Sequence, residues 1–297
     1  MKPIQQAEWI VNVMIIPKKG GKVRMCVDFR DLNKACLKDE FPLSHINVLV
    51  DNMVGSALMS FMNGFLEYNQ IKMDPKDMTK TTFTTEWGSY CYTMMSFCLK
   101  NVGATYQRMA IALLHDMMHN EVEVYVDDMI VKSKDGESYT INLRKFFERI
   151  KKYRLRLNPQ KCTFRVITGK LLGFLVSNRG IEVDPSKIKA ILEMLPPRSE
   201  KEIKGFLGRL QYISRFVTKN TSTCEPIFKI LKKNEPHTWN DEHQRAFELI
   251  KEYLLHPPIL VLPQHGKLVL LYLSIIRDKV RSILAQEDDD KNERATY

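Results

Sequence analysis

Two adjacent carboxylates, Asp127 and Asp128, stand between apolar runs in the stretch Glu-Val-Glu-Val-Tyr-Val-Asp-Asp-Met-Ile-Val-Lys-Ser at 121–133. Each carboxylate makes the other harder to ionise, because like charges at close range repel. Aspartate tolerates turn geometry well, so a tight turn is one explanation of the pair. A divalent-metal site is the other, since hard cations such as Mg²⁺ take anionic oxygen ligands. The pair alone leaves both explanations open.

The residues around the pair indicate how it would be positioned. Three valines alternate with two glutamates and a tyrosine over 121–126, which predicts a half-buried strand, and 129–131 predicts a second strand after a turn. A hairpin turn between strands would fix the spacing of the two carboxylates. Two Mg²⁺ ions held about 4 Å apart can activate a 3′-hydroxyl and stabilise a departing pyrophosphate. Such a site needs a third acidic ligand from elsewhere in the chain.

Patterns elsewhere predict an α+β chain. Residues 9–16 and 22–28 predict a strand hairpin with Lys18, Lys19 and Lys22 around its tip. Further strands are predicted at 57–62, 80–85, 90–94, 158–164, 170–177 and 268–276, and helices at 46–54, 104–119 and 139–153. After Gly180 the sequence pattern becomes helical, and helices are predicted at 185–195, 199–217, 224–232 and 241–255.

The composition favours a polyanionic partner. The chain of 297 residues carries a net charge of +10, and residues 144–170 hold ten Lys or Arg against one Glu. The six cysteines form no C-x-x-C pair, which predicts reduced intracellular thiols. No signal peptide is visible, and the longest apolar run, 268–276, is too short to span a bilayer. We therefore expect an intracellular protein, cytoplasmic or nuclear, with no membrane partner.

Six ordered motifs carry a resemblance to a known family. They are Tyr-Val-Asp-Asp at 125–128, Arg-Met-Cys-Val-Asp-Phe-Arg-Asp-Leu-Asn at 24–33, Ser-Phe-Met-Asn-Gly-Phe-Leu-Glu-Tyr-Asn-Gln-Ile at 60–71, Leu-Lys-Asn-Val-Gly-Ala-Thr-Tyr-Gln-Arg at 99–108, Leu-Asn-Pro-Gln-Lys-Cys at 157–162 and Leu-Gly-Phe at 172–174. Together they resemble the reverse transcriptases of gypsy-class LTR retrotransposons, in the form abundant in plants. The resemblance covers about residues 9–285.

The resemblance implies a right-hand polymerase fold. Fingers and palm would occupy residues 1–180, a helical thumb or connection 181–256, and the truncated start of an RNase H-like domain 257–297. The implied activity is RNA-directed DNA polymerisation by two-metal nucleotidyl transfer onto a primer 3′-hydroxyl. The implied cofactor is Mg²⁺, with Mn²⁺ as a substitute. The implied partners are an RNA or DNA template with its primer, dNTPs and the rest of a Gag-Pol polyprotein.

Roles for single residues follow from the resemblance. Asp127 would hold both metals with Asp128 in support, while Arg24 and Lys18 or Lys19 would neutralise the triphosphate. Tyr68 would lie under the sugar and exclude a 2′-hydroxyl, and Phe97 would belong to the floor of the nucleotide pocket. The primer and template would contact Gly173, Phe174, Lys161 and Gln107. Without the resemblance, each of these basic side chains can equally be read as a solvated surface charge. Tyr68 can be read as an ordinary core tyrosine.

The sequence departs from the family pattern at the third ligand. Asn63 stands where the family has its first catalytic aspartate, so the side chain keeps its shape and loses its charge. Ser96 and Cys98 replace a proline and a glycine around Phe97, and Leu66-Glu67 replaces a small pair beside Tyr68. We therefore expect impaired polymerisation.

The chain ends depart from the pattern as well. Ser274 stands at the first aspartate position of the RNase H-like part, so we expect no RNase H activity. The beginning, which opens inside the fingers, and the end predict a decayed or clipped polyprotein segment. The alternative function is a nucleic-acid-binding remnant without catalysis. An RNA-templated RNA polymerase is disfavoured, because Tyr68 and Tyr-Val-Asp-Asp match the DNA-synthesising group.

Overall fold

The structure, a computed structural model, describes residues 1–17, 21, 23–216, 226–227, 239–263, 266–276, 279–287 and 293–295. Lys18, Lys19, Cys224 and most of the helix predicted at 224–232 lie outside these residues. The chain divides into two compact units, one of Met1–Leu49 with Ala57–Val166 and the other of Val50–Ser56 with Ile167–Tyr297. Within the part that is described, no helix is long and apolar enough to cross a membrane. The five described cysteines are free.

The first unit mixes antiparallel strands with short and long helices. Its strands are β1 (Lys2–Pro3), β2 (Asn12–Pro17), β3 (Val23–Asp28), β4 (Leu58–Asn63), β5 (Phe83–Thr85), β6 (Gly88–Cys91), β7 (Val122–Tyr125), β8 (Asp128–Ser133) and β9 (Thr163–Val166). Its α-helices are α1 (Arg30–Ala35), α2 (Ile46–Asp51), which ends in the second unit, α3 (Pro75–Met78), α4 (Val102–Leu114) and α5 (Gly136–Lys152), with 3₁₀ turns at Glu67–Gln70 and Thr79–Thr81.

A four-stranded antiparallel sheet in the order β7-β8-β4-β9 forms the centre of the first unit. Its core joins apolar residues of the sheet to residues of α4 and α5, because both helices are amphipathic. Asp135 caps the start of α5 by accepting the Ser138 backbone N–H at 2.7 Å. The predicted β2–β3 hairpin is confirmed, as is the β5–β6 pair.

The described residues of the second unit form two sheets and a helical stretch. Its strands are β10 (Thr168–Leu171), β11 (Phe174–Ser177), β12 (Gly180–Val183), β13 (Val269–Ile276), β14 (Lys279–Glu287) and β15 (Glu293–Ala295), paired in the orders β10-β11-β12 and β13-β14-β15. Its helices are α6 (Pro185–Leu192), α7 (Glu200–Tyr212) and α8 (Asp241–Tyr253), with a 3₁₀ turn at Ser214–Phe216. Phe206 and Phe247 join α7 to α8, with ring centroids 5.1 Å apart.

Several predicted elements were wrong in their bounds. The strand predicted at 170–177 is two strands around Leu172 and Gly173, whose positive φ angles reverse the chain. The strand predicted at 158–164 begins only at Thr163, because Asn158 forms a turn in which its side chain accepts the Gln160 N–H. The helix predicted at 104–119 ends at Leu114, and β12 occupies a stretch predicted to lead straight into helices.

The basic run at 144–170 is partly neutralised by acidic neighbours. Lys145 pairs with Glu121 at 2.8 Å and Arg149 with Asp116 at 2.7 Å. The Arg149 guanidinium holds the pKa of Asp116 well below its usual range. The net charge of this stretch therefore overstates the positive charge that it offers to a polyanion.

Candidate active site

A two-residue turn presents the carboxylate pair. Tyr125 and Asp128 form the last cross-strand pair of β7 and β8, so Val126 and Asp127 are the turn. Val126 has a φ of 53°, a left-handed conformation that a β-branched residue rarely adopts. Such outliers persist where the surrounding structure holds them, and they are common at functional sites.

Gln107 on α4 holds this turn. Its Oε1 accepts the Val126 backbone N–H at 2.5 Å, and its Nε2 donates to the Val124 carbonyl at 3.1 Å. Nε2 also donates to Ser44 Oγ at 3.2 Å, and the side chain is fully buried. The sequence predicted Gln107 as a primer–template contact. In the structure, both ends of the Gln107 amide are occupied by hydrogen bonds inside the protein.

Asn63 lies beside the carboxylate pair. It ends β4 and pairs in register with Asp128, because β4 and β8 are neighbouring antiparallel strands. The Asn63 Nδ2 donates to Asp127 Oδ2 at 3.3 Å and to Asp128 Oδ1 at 3.4 Å. Asn63 and the carboxylate pair, more than sixty positions apart in the sequence, thus meet at one partly buried corner of the sheet.

The environment of Asp128 disfavours its charge. Burial and the neighbouring charge of Asp127 raise the pKa of Asp128 above its ordinary value. The hydrogen bond from Asn63 and the positive charge of Lys161 act in the opposite direction. A site that concentrates anionic oxygens against their own repulsion is suited to bind a cation.

The residues present fit a divalent cation in part. Asp127 and Asp128 supply carboxylate oxygens, and Asn63 Oδ1 is buried without a hydrogen-bond partner among the described residues. An amide oxygen is a neutral ligand and cannot balance the charge of a second ion. In the described chain, no group of three or more His, Cys, Asp or Glu is arranged to hold a metal. The site therefore offers two anionic ligands where a three-carboxylate site offers three.

A cavity of about 760 Å³ opens in the same unit. Phe97, Lys161 and Leu66 line it together with residues of β3 and the β6–α4 connection. Gly64 and Asn158 line it as well, and the Asn158 backbone N–H donates to the Asn63 carbonyl at 2.8 Å. Leu66 has a φ of 54°, a left-handed conformation that is uncommon for a leucine, and its side chain is about half exposed. Lys161 was predicted to contact the primer or template, and the structure places it in the lining of this cavity.

Tyr68 is not among the residues that line the cavity. It packs edge-on against Phe97, with centroids 5.2 Å apart, and against Tyr106 at 5.6 Å. Tyr68 therefore contacts the wall of the cavity through Phe97. Aromatic edge-to-face pairs of this kind hold ring orientation.

The other predicted residues lie in several places. Arg24 is on β3, opposite Ile16 of β2. Gly173 and Phe174 lie in the second unit, at the β10–β11 turn. Ser274 lies on β13, where it pairs with Arg281.

Sequence patterns missed a buried ion pair between the two strands of the hairpin. Glu123 on β7 and Lys132 on β8 are 2.8 Å apart and almost fully buried, although alternation predicted Glu123 on an exposed face. His119 also contacts Glu123, at 3.2 Å. The signal was a lysine inside an apolar strand near a glutamate on the preceding strand.

Comparisons with known proteins identify the family and the relatives of the chain. The family model described as "Reverse transcriptase (RNA-dependent DNA polymerase)" matches residues 16–208. The chain is 29% identical to the Retrovirus-related Pol polyprotein from transposon opus of Drosophila melanogaster, over 99% of the chain and 30% of that polyprotein. It is 28% identical to the Transposon Tf2-3 polyprotein of Schizosaccharomyces pombe, over 94% of the chain and 21% of that polyprotein. The chain thus spans less than a third of these relatives.

Solved structures share the fold. A foamy viral protease-reverse transcriptase in complex with double-stranded DNA matches 98% of the chain and 51% of its own length, with a TM-score of 0.85 and 20% identity. The same type of protein in complex with an RNA/DNA hybrid matches with a TM-score of 0.79 and 19% identity.

The carboxylate pair thus lies on a hairpin turn of an antiparallel sheet that packs against α4 and α5. The chain belongs to the reverse transcriptase family, the RNA-dependent DNA polymerases, and its homologues are retrotransposon polyproteins.

Proposed function

We propose that this chain is the reverse transcriptase segment of a gypsy-class retrotransposon Gag-Pol polyprotein, and that its Asn63 impairs polymerisation. The observation that carries the proposal is the contact of Asn63 Nδ2 with both Asp127 and Asp128. In this proposal residues 1–180 are fingers and palm, 181–256 a helical thumb, and 257–297 the start of an RNase H-like domain that is not active.

Asp127 and Asp128 would hold Mg²⁺ or Mn²⁺, which when bound neutralises phosphate charge and lowers the pKa of the attacking hydroxyl. The hairpin keeps the carboxylates at a fixed spacing, with Gln107 supporting the turn. Arg24, with Lys18 or Lys19, would bind the triphosphate, and Lys161 would contact the primer or template from the cavity lining. Phe97 and Tyr68 would orient the sugar of a dNTP.

The primer and template would lie along Gly173 and Phe174, and basic residues would contact phosphates without reading sequence. An RNA or DNA template would serve, as in the related foamy viral enzymes that bind double-stranded DNA and an RNA/DNA hybrid. The compartment would be intracellular, in the cytoplasm or nucleus, where such templates occur.

The direct test is primer extension by the native chain and by Asn63→Asp, each with a primed RNA template, dNTPs and Mg²⁺ or Mn²⁺. We expect Asn63→Asp to extend the primer at least about 10²-fold faster, because a preorganised charge is restored to the site. Asn69→Asp, which adds the same charge elsewhere in the cavity lining, is the matched control and should not raise extension. Rapid extension by the native chain, unchanged by Asn63→Asp, would contradict the proposal.

One observation favours a second function. The Asn63 amide already donates to both carboxylates, so the site is held together by hydrogen bonds within the protein. A chain of this kind could bind a primer–template duplex without catalysis. We then expect salt-sensitive duplex binding that survives the combined Asp127→Asn and Asp128→Asn substitution, while Asn63→Asp gives no extension.

A further inference from the structure

The β10–β11 turn of the second unit has a conformation that its sequence does not favour. Leu172 and Gly173, its two central residues, have φ angles of 48° and 86°. A two-residue hairpin turn with positive φ at both positions normally takes Asn or Gly at the first. A leucine there brings its Cβ close to backbone atoms, so the turn needs support from outside the hairpin.

Tyr212, the last residue of α7, supplies that support. Its hydroxyl donates to the Leu172 carbonyl oxygen, and its ring lies nearly parallel to Phe174, with centroids 6.1 Å apart and 10° between the planes. A Cβ at position 173 would collide with the Tyr212 ring. Gly173 is thus required twice, for its positive φ and for the space that the ring occupies.

Tyr212 is not an ordinary core residue. Its side chain is 44% exposed, whereas Phe206 and Leu210 on the same helix are fully buried and fix the helix. The Lys187 ammonium lies 5.1 Å from the centroid of the Tyr212 ring, in cation–π range. The Leu172–Gly173 turn, the Tyr212 ring and the Lys187 ammonium therefore form one partly exposed surface. On this surface a positive charge lies beside a turn that Tyr212 supports.

We propose that Tyr212 is a positioning residue that fixes the Leu172–Gly173 turn and, through it, the placement of a primer strand. The primer part rests on the proposed function, in which this turn lies along the primer. Tyr212 acts through the turn and makes no charge contact with phosphate, whereas Lys187 contributes the charge. Because the two roles differ, substitutions of Tyr212 and Lys187 should have different effects on the salt dependence of duplex binding.

The first measurement needs no nucleic acid. Hydrogen exchange of the 168–177 segment is compared in the native 297-residue chain and in its Tyr212→Phe and Tyr253→Phe variants. Tyr253 is the matched control, because its hydroxyl also donates to a backbone carbonyl in this unit, that of Phe216, at 2.9 Å. We expect Tyr212→Phe, which keeps the ring and loses the hydroxyl, to speed exchange in the turn about fivefold, the effect of one ordinary hydrogen bond. Tyr253→Phe should leave the turn unchanged.

The second measurement uses a labelled primer–template duplex and the same chains, with Lys187→Ala added. We expect Tyr212→Phe to weaken binding about fivefold with an unchanged salt slope, and Lys187→Ala to reduce the slope by about one. A photoreactive group on the primer 3′ nucleotide should crosslink less to the 168–177 segment in Tyr212→Phe. Because Tyr212→Phe retains the aromatic stack, we expect the variant to fold. An unchanged circular dichroism spectrum verifies this.

Equal turn exchange and equal crosslinking in Tyr212→Phe and Tyr253→Phe, with a native chain that binds the duplex, overturns the positioning role. If the native chain binds no duplex even at low salt, the proposed function fails and the primer placement falls with it. The two failures are distinguished by the native chain alone.

Discussion

Gln107 Oε1 lies 2.5 Å from the backbone nitrogen of Val126, directly behind the turn that carries Asp127. The contact satisfies a backbone N–H at a residue whose left-handed conformation is unfavourable for valine. One buried amide on α4 therefore supports the turn that carries the carboxylate pair.

Replacing Gln107 with leucine keeps the volume and removes the hydrogen bonds. We expect the free energy of unfolding to fall by about 1–3 kcal/mol, because buried backbone groups at the turn lose their partners. In an Asn63→Asp background, extension should fall further than stability alone explains, on the order of tenfold. Asn142→Ala, which loses one side-chain bond to the far end of β8 at Lys132, is the control and should affect stability only. Equal effects of both variants on extension would contradict the role of Gln107.

Asp128 should destabilise the native state at neutral pH. Burial and the Asp127 charge raise its pKa, so the native protein keeps the Asp128 proton to a higher pH than the unfolded chain does. The contribution of Asp128 is therefore most favourable below the unfolded pKa, and stability is lost as pH rises through the native pKa. We expect Asp128→Asn to raise the melting temperature at about pH 7.5 and to change it little near pH 4.

Asp184 is a control for the Asp128 measurement, because the pKa of Asp184 is shifted in the opposite direction. The Ser186 backbone N–H and Lys170 lower its pKa, so its carboxylate stabilises the fold above the unfolded pKa and loses that effect as pH falls through the native pKa. Asp184→Asn should therefore lower the melting temperature at neutral pH and have little effect in acid. Parallel pH profiles for Asp128→Asn and Asp184→Asn would refute the sign assigned to Asp128.

Tyr68 and Phe97 should act as one unit in nucleotide selection. Phe97 lines the cavity and Tyr68 holds its ring edge-on. In an Asn63→Asp background, we expect either alanine substitution to reduce the preference for dNTPs over rNTPs by on the order of tenfold, and the double variant to be no worse. Met94→Ala, which changes the same cavity without a ring contact, should alter KM for both nucleotides alike. Additive losses from Tyr68 and Phe97 would show that they act separately.

The buried pair of Glu123 and Lys132 should be costly to break on one side. Lys132→Met leaves the Glu123 carboxylate without its ammonium partner in a dry environment, and we expect a loss of about 3–5 kcal/mol in denaturant unfolding. Adding Glu123→Leu should restore most of that loss, since no uncompensated charge remains. Lys34→Met breaks an exposed pair with Asp31 and should cost about 1 kcal/mol or less. A double variant as unstable as Lys132→Met would contradict this account.

The short-range features were readable in the sequence. Alternating valines before Asp127 and apolar residues after Asp128 predicted the hairpin, and helical periodicity predicted α5, because these patterns depend on neighbours within a few residues. The identity of Asn63 as the partner of the pair came from family resemblance. In the structure, Asn63 pairs in register with Asp128.

Tertiary structure alone decided which side chains meet across the fold. Gln107 supports Val126 and Tyr212 supports Leu172 because α4 and α7 pack where their turns pass, and no local pattern records such a contact. Glu123 is buried and pairs with Lys132 on the neighbouring strand, although the alternation of the strand predicted Glu123 on an exposed face. The sequence determined the local backbone and the chemistry of the carboxylates, since both depend on residue type and spacing. The supports of the turns depend on long-range packing, which only the folded chain specifies.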